Sequence, residues 1–428
     1  MDELLFGYDE AKITPSSEMS LEGYEDRGSK GSGNSGVLDD LYAKVLSVAL
    51  GSVKILVYSL DVCEFTIDFS NRLRESISRK TGLPKVNIHI FATHTHSGPI
   101  LDLLWGAKNL DNQALERQKL VLDNYINFLE EILCTIGIKS LSNNFPAKMY
   151  SAHHHAKLGY NRRKLNDIGN SVRMLYSLWE NPGIHPDGTF DNDIPVVVIE
   201  REIPKDFDTY LQPISPRRII LLNPAFHPVV LGQDSRLVSA DYPGAACSLL
   251  SKYLGDDTRA MFFLGASGDT HPMLSTQMNP VAVEAVGNAV ASGIVCALAD
   301  KNQETSTTLF NKEIKISLNP RSGGQIGLSV IAIGSIAIVA TSAEIFTEYG
   351  IHIKKASPFN TTIVATLGDG TVGYIPGQND FSGGEYEIDI ALKHGIEPST
   401  MNNIIDKTIE LLNEAYDSFR SKCFYDLL

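Results

Sequence analysis

Val86-Asn87-Ile88-His89-Ile90-Phe91-Ala92-Thr93-His94-Thr95-His96-Ser97-Gly98-Pro99 opens as a strand and closes as a histidine-bearing turn. Val86–Thr93 is rich in β-branched and aromatic residues, which suit a pleated strand, and Gly98-Pro99 ends the regular structure. Two histidines at i and i+2 just past a strand can point into one pocket. A lone histidine is more often a hydrogen-bonded structural residue than a ligand, so the pair alone does not decide between the two roles.

The same kind of run recurs on both sides of it. Val53–Leu60, Ala147–His155, Ile194–Glu200, Arg217–Asn223 and Ala260–Leu264 read as strands. Between them, Asn71–Arg79, Asp111–Ile138, Tyr242–Tyr253 and Val281–Lys301 repeat apolar residues at helical steps, as does Ser399–Phe419 near the end. Strand–helix alternation predicts an α/β layered fold. From Leu309 the pattern changes to Phe310–Leu318, Leu328–Ala332 and Ile336–Thr341 around Gly334-Ser335, with Thr361–Thr366 beyond, which reads as antiparallel strands and a hairpin. The expected sheets are therefore mixed, in one domain over residues 1–428 with a lobe boundary near residue 305 (1–305 and 306–428). The glycine- and serine-rich segment Gly28–Gly36 reads as a surface loop, with a lid over the site as the alternative.

Composition narrows the function. An apolar fraction of 43% and a charged fraction of 21% describe an ordinary packed protein of 428 residues. With a formal charge of −14 and no basic run, the chain has no electrostatic footprint for nucleic acid. The acidic start MDELLFGYDE is unlike a secretory leader, and no stretch approaches about 18 unbroken apolar residues, so a cytoplasmic protein without a membrane span is expected. The five cysteines are odd in number and contain no Cys-x-x-Cys pair, which points to buried thiols and leaves metal capture to nitrogen and oxygen.

Donors of that kind lie in matching settings. His227 falls just past Arg217–Asn223, Glu344 just past Ile336–Thr341, and Tyr374 follows Thr361–Thr366 through a glycine-rich turn. Function in layered α/β folds gathers at strand ends. Each also has a plain structural reading: a loop histidine, a capping carboxylate, a core tyrosine. Spacing does not join them. The run His153-His154-His155 reads as a partly solvated strand end with His154 opposite its neighbours.

A set of motifs in one order does join them. The chain carries KITP at Lys12–Pro15, then GYEDRGS, GVLDDLYAKVLSVAL, VKILVYSLDV and ATHTHSGP. After these come NRR at Asn161–Arg163, NPAFHPVVLGQDSRLVSADYPG, GASGDTHP, ATSAEIFTEYG and GDGTVGYIPGQNDFSGGEYE. In these it resembles the catalytic domain of the neutral/alkaline ceramidases. The resemblance implies zinc ligands at His94, His227, Glu344 and Tyr374, with His96, Arg162 and Tyr386 as the groups that bind and polarise substrate. It departs from the family at His271, which stands where those enzymes have a serine, and it ends without their immunoglobulin-like domain.

The function this implies is zinc-dependent hydrolysis of an amide or ester in a small or lipid-like substrate, with ceramide itself not expected. His96 and His271 are the candidate acids and bases of near-neutral pKa. A non-catalytic metal or small-molecule binding protein and a metal-dependent phosphoesterase are the alternatives, and a homo-oligomer is left open.

Overall fold

The structure is a computed structural model that describes residues 3–24, 33–102, 112–166, 171–203, 215–318 and 324–425. The first part of the Gly28–Gly36 segment and Asp111 lie outside the described residues.

Strands with long apolar runs and little polar alternation need cover on both faces, and the chain supplies it in four layers. The larger sheet is built from β1 (Leu4–Lys12), β2 (Tyr42–Leu50), β3 (Val53–Leu60), β4 (Ile88–Ala92), β5 (Phe145–His155), β6 (Asp193–Arg201), β7 (Arg218–Leu222), β8 (Thr258–Phe262) and β9 (Asn302–Glu304). Its order is β8-β7-β6-β5-β1-β2-β3-β4, with β9 beside β5. The β3–β4 and β7–β8 pairs are parallel and the other neighbours antiparallel, so the sheet is mixed as the sequence predicts. The second sheet runs β10 (Leu309–Ser317), β11 (Gln325–Ile333), β12 (Ile336–Thr341) and β13 (Thr361–Ala365), with β12 and β13 parallel. The change of sheet falls between Glu304 and Leu309.

Alternation along β3 shows how the layers meet. Leu56, Tyr58 and Leu60 face the helices α1 (Ile67–Thr81), α2 (Asn112–Ser142), α3 (Asp241–Leu254) and α4 (Pro280–Ala297), in one core with Leu73, Leu133, Leu250 and Val290. Ile55 and Val57 face the other way and pack on Ile331, Ile338 and Ile363 of the second sheet. That sheet is covered outside by α5 (Thr347–Ala356), α6 (Tyr386–Lys393) and α7 (Thr400–Tyr425), through Ile353, Ala391, Ile404 and Leu412. The core between the sheets holds residues from both sides of the sheet change.

Local chemistry sets the ends of the elements. Thr66 accepts a hydrogen bond from the Phe69 N–H at 3.2 Å and Gly82 closes the helix at φ 76°, so α1 starts four residues before the predicted Asn71 and runs two past Arg79. β1 and β2 carry charged residues, and β1 a glycine, that hide their strand character in the sequence. Gly7 has a reason to be there. A Cβ at that position would sit 2.0 Å from the Ser140 carbonyl oxygen of α2 and 2.5 Å from the Ser47 hydroxyl. Gly7→Ala is therefore expected to cost about 1–3 kcal/mol in chemical denaturation, with the sheet forced away from α2. A loss near zero would show that α2 can shift freely.

Two expectations from composition need correction. The helix and turn Pro280–Asp300 are long and apolar enough to cross a membrane by length and composition alone, with a mean hydropathy of 1.8. Alanine, glycine and valine raise its hydropathy without an unbroken run of large residues, and Val283, Val286, Val290, Ala291 and Ile294 lie in the core under α3 and β5. Of the thiols, Cys63, Cys134 and Cys247 are buried as expected, but Cys296 is exposed because it falls on the outer side of α4.

Candidate metal centre

The turn after β4 is fixed by backbone bonds to the segment leaving β3: Thr93 N–H to Leu60 O at 2.8 Å and His94 N–H to Val62 O at 2.9 Å. His94 sits at φ 67°, a left-handed conformation uncommon for a residue with a side chain, held by those contacts. Its Nδ1–H donates to the Cys63 carbonyl at 2.8 Å, which leaves the Nε2 lone pair facing inward. His227, past β7, is oriented the same way: Nδ1 lies 2.8 Å from Ser267 O and 3.0 Å from Thr270 O. Glu344 comes from beside the second sheet, on a short strand after β12 that pairs only with Tyr374–Ile375, Glu344 standing opposite Tyr374 in parallel register. Gly268 makes this approach possible, since a Cβ there would lie 2.9 Å from the Glu344 carbonyl oxygen.

These three side chains converge. Glu344 Oε2 lies 3.2 Å from His94 Nε2 and 3.1 Å from His227 Nε2, and all three residues are buried. Burial would push the Glu344 carboxyl up, but the two histidines outweigh it and hold it well below the usual carboxylate range. Burial and the nearby Arg162 pull His227 down to about 4, so it stands neutral with a free lone pair. At His94 burial also pulls down, yet Glu344 and then Glu64 more than compensate and raise it. His227 Nε2 and Glu344 Oε2 are buried and make no hydrogen bond of acceptable geometry despite their proximity. Two buried polar atoms left open toward each other are what a cation at their meeting point would complete. A second grouping, Cys63 with His94 and His96, shares His94 with the first.

The other candidate residues stand around this centre. His96 Nε2 is 3.3 Å from His94 Nε2, and the His96 ring stands edge-on to both His94 and Tyr24. Tyr374 is buried, with its hydroxyl accepting from Arg162 Nη2 at 3.4 Å; burial and Glu344 push its pKa well up. Tyr386 is half exposed beside it, ring centres 5.7 Å apart. Arg162 itself is buried and donates from all three of its nitrogens: Nε to Glu387 at 2.7 Å, Nη1 to His271 Nε2 at 2.7 Å and Nη2 to Gly268 O at 2.9 Å. His271 stands near His227, ring centres 5.6 Å apart, with its Nδ1–H donating to Tyr176 O at 3.1 Å. Because arginine can only donate, His271 Nε2 is the acceptor and the ring is neutral; burial, then Arg162, hold it well below the usual histidine range. Asp269 is likewise occupied, by the Thr347 N–H and the Asn161 amide.

The histidine run divides as alternation requires. His154 packs on Gly293 of α4, while His153 and His155 lie on the other face beside Asp193. Burial would raise the Asp193 carboxyl, but the His153 bond at 2.8 Å and Lys354 at 2.9 Å hold it at about 2. A carboxyl depressed in the folded state adds stability above the unfolded pKa of about 4 and loses it as pH falls through the folded value. Asp193→Asn should therefore cost on the order of 2 kcal/mol near pH 7, and urea unfolding should show the gap to the parent protein closing between about pH 4 and pH 2. A gap independent of pH would mean that packing, not charge, is lost.

No protein-family model matches the chain, and no curated protein matches it. Its three-dimensional likeness decides the fold. A crystal structure of neutral ceramidase from Pseudomonas aeruginosa superposes with a TM-score of 0.74 over 96% of this chain and 74% of that one, at 12% identity. A structure described as ceramidase complexed with C2 gives 0.73, again over 96% of this chain and 75% of that one, at 12% identity. The fold is that of neutral ceramidase. At this identity the likeness speaks for the architecture alone, and the neutral ceramidase fold agrees with the resemblance carried by the ATHTHSGP and GASGDTHP motifs.

Several charged residues at the centre are not singled out by the sequence. Glu387 is fully buried and binds both Arg162 and Arg163, the latter at 2.6 Å. Glu64 interacts with His94 and Glu344, and the Glu22 N–H donates to Gly98 O at 3.0 Å in the histidine turn. Glu22 and Glu387 occupy polar stretches that read as solvated surface, and only the fold buries them.

Proposed function

We propose that this protein is a zinc-dependent hydrolase that cleaves an amide or ester bond. The observation that carries the reading is the convergence of His94, His227 and Glu344, with two buried atoms open toward one point, on a neutral ceramidase fold. A zinc ion held by them, with Tyr374 as a fourth donor, would supply a Lewis acid and make water a nucleophile at neutral pH.

The chain's own groups then have separable tasks. The carbonyl acceptors of Cys63, Ser267 and Thr270 fix the tautomers and angles of His94 and His227. Tyr386 and His96, on the open side, donate toward the substrate carbonyl where negative charge develops. His96 Nε2 is also the group left to pass a proton to the leaving atom, because both nitrogens of His271 are engaged. Arg162 acts as a positioning residue whose four donations lock Tyr374 and His271 in place. Exposed Tyr176, Met273 and Leu274 adjoin His271 and offer an apolar approach that suits a lipid-like acyl group.

The test is a panel of amides and esters, ceramide included, assayed on zinc-loaded protein, after chelation and after zinc is returned. Turnover that vanishes and returns with the metal supports the reading, with little expected on ceramide. Stoichiometric zinc without turnover on any substrate would leave a binding protein on the same scaffold. In the same assay His271→Gln should retain zinc and both limbs of the pH profile while kcat falls roughly 10–100-fold, as for other residues that orient a metal site. Loss of one limb would return His271 to acid–base duty.

A further inference from the structure

Glu385 holds a backbone conformation that a residue with a side chain avoids. At φ 76° and ψ −179° it lies in a region open to glycine and essentially closed to residues with a Cβ. Gly383 and Gly384 stand just before it, and Gly384 also has a positive φ, at 63°. The chain therefore turns sharply there, and α6 begins at once, with the Ile388 and Asp389 N–H groups both donating to the Glu385 carbonyl at 3.0 Å. The Glu385 side chain is exposed, so its own burial does not account for the bend. What the bend delivers is Tyr386, whose ring centre lies 5.7 Å from that of Tyr374. A strained backbone persists only where its surroundings over-determine it, and such residues gather at active sites and switches.

One side chain supplies the hold. Arg163 Nη2 donates to the Gly384 carbonyl at 2.9 Å and Nη1 to the Glu387 carboxylate at 2.6 Å, so a single guanidinium grips the chain just before and just after Glu385-Tyr386. Arg163 is itself fixed. It is buried on the short strand Arg163–Leu165, its N–H donates to Asn161 Oδ1 at 2.9 Å, and its guanidinium lies 5.5 Å from the centre of the Phe346 ring. The planar fork matters here, because it aims two donors at two acceptors at once, whereas a lysine offers one point charge on a flexible stem.

We propose that Arg163 is a positioning residue that clamps Glu385 in its strained bend, and that this bend keeps Tyr386 beside Tyr374 on the open side of the metal centre. The catalytic consequence rests on the hydrolase reading; the clamp itself does not. With the clamp loosened, Glu385 relaxes toward negative φ and carries Tyr386 away, but Glu385→Gly removes the strain and with it the reason to move. Fluorine NMR of the zinc-loaded full chain made with fluorotyrosine tests this without turnover, the Tyr386 line being assigned by its loss in Tyr386→Phe. Arg163→Lys should shift or broaden that line with zinc retained, and combining it with Glu385→Gly should bring the line back toward the parent position. Glu385→Gly alone should melt no lower than the parent, because the strain removed outweighs the freedom gained by the unfolded chain. That comparison stands even where Arg163→Lys does not fold. On a responsive substrate Arg163→Lys should lower kcat by about tenfold or more with KM little changed, and the double variant should recover most of the loss. Clearly lower melting of Glu385→Gly, an unmoved line in Arg163→Lys, or an equal displacement with and without Glu385→Gly overturns the clamp and leaves Arg163 as a partner of Glu387 only. A displaced line that Glu385→Gly restores, in a protein that hydrolyses nothing on the panel, would sink the hydrolase reading and leave the clamp standing.

Discussion

His94→Ala and Glu344→Ala are each expected to lose the zinc and to lower turnover by about 10³-fold or more, since the metal's contribution to transition-state charge is several kcal/mol and each 1.36 kcal/mol is tenfold. The two differ in what they leave behind. Without Glu344, His94 and His227 face each other with no anion between them; without His94, the carboxylate keeps only the neutral His227 at 3.1 Å. Glu344→Ala should therefore be the more complete loss. Elemental analysis of protein never exposed to nickel resin, beside turnover on one responsive substrate, checks both. Full zinc occupancy in both variants would refute the ligand set.

Glu387→Ala carries the largest expected cost in stability. The residue is fully buried and receives Arg162 at 2.7 Å and Arg163 at 2.6 Å, so its loss strands two guanidinium groups away from water. Removing one partner of a buried ion pair costs about 3–5 kcal/mol, most of it from the charge left uncompensated. Arg163 retains the Gly384 carbonyl at 2.9 Å and the Phe346 ring, whereas Arg162 would press harder on His271 and Tyr374. Activity should fall at conditions where the variant is still folded and zinc-loaded, and Glu387→Gln should recover much of the stability by keeping acceptors for part of the network. A loss under about 1 kcal/mol for Glu387→Ala would mean that water reaches the arginines.

Much of the architecture is visible in the sequence because the sheets are covered on both faces. Val53–Leu60 and Ile336–Thr341 are read to the residue: each is a largely apolar run that begins just after a Gly-Ser pair, Gly51-Ser52 and Gly334-Ser335, and the structure places the strand starts there. β1 and β2 escape because Asp9, Glu10 and Lys44 interrupt the pattern at positions whose charges are met only in the fold, Lys44 by the Ala260 carbonyl. The layering also needs tertiary information, since nothing in Ile55 or Leu56 says which faces a helix and which a second sheet.

At the site the sequence shows which donors follow strands, and the motifs say which belong together. It cannot show that Arg162 is spent on its neighbours, that His271 accepts where a catalytic acid must donate, or that Glu22 is enclosed. Those properties arise from burial and from the direction of a few N–H bonds. A charged residue in a loop looks the same in sequence whether water surrounds it or not.

The convergence of His94 and His227 from the larger sheet with Glu344 from beside the smaller one also constrains the order of events in folding. Donors so far apart in sequence meet only after two long chain closures and the docking of one sheet on the other, and such non-local contacts form late. A metal bound there would be taken up by a chain that has already found its topology, and it would act as a latch on the finished structure: it would slow the parting of the sheets and leave the speed of their first encounter nearly unchanged.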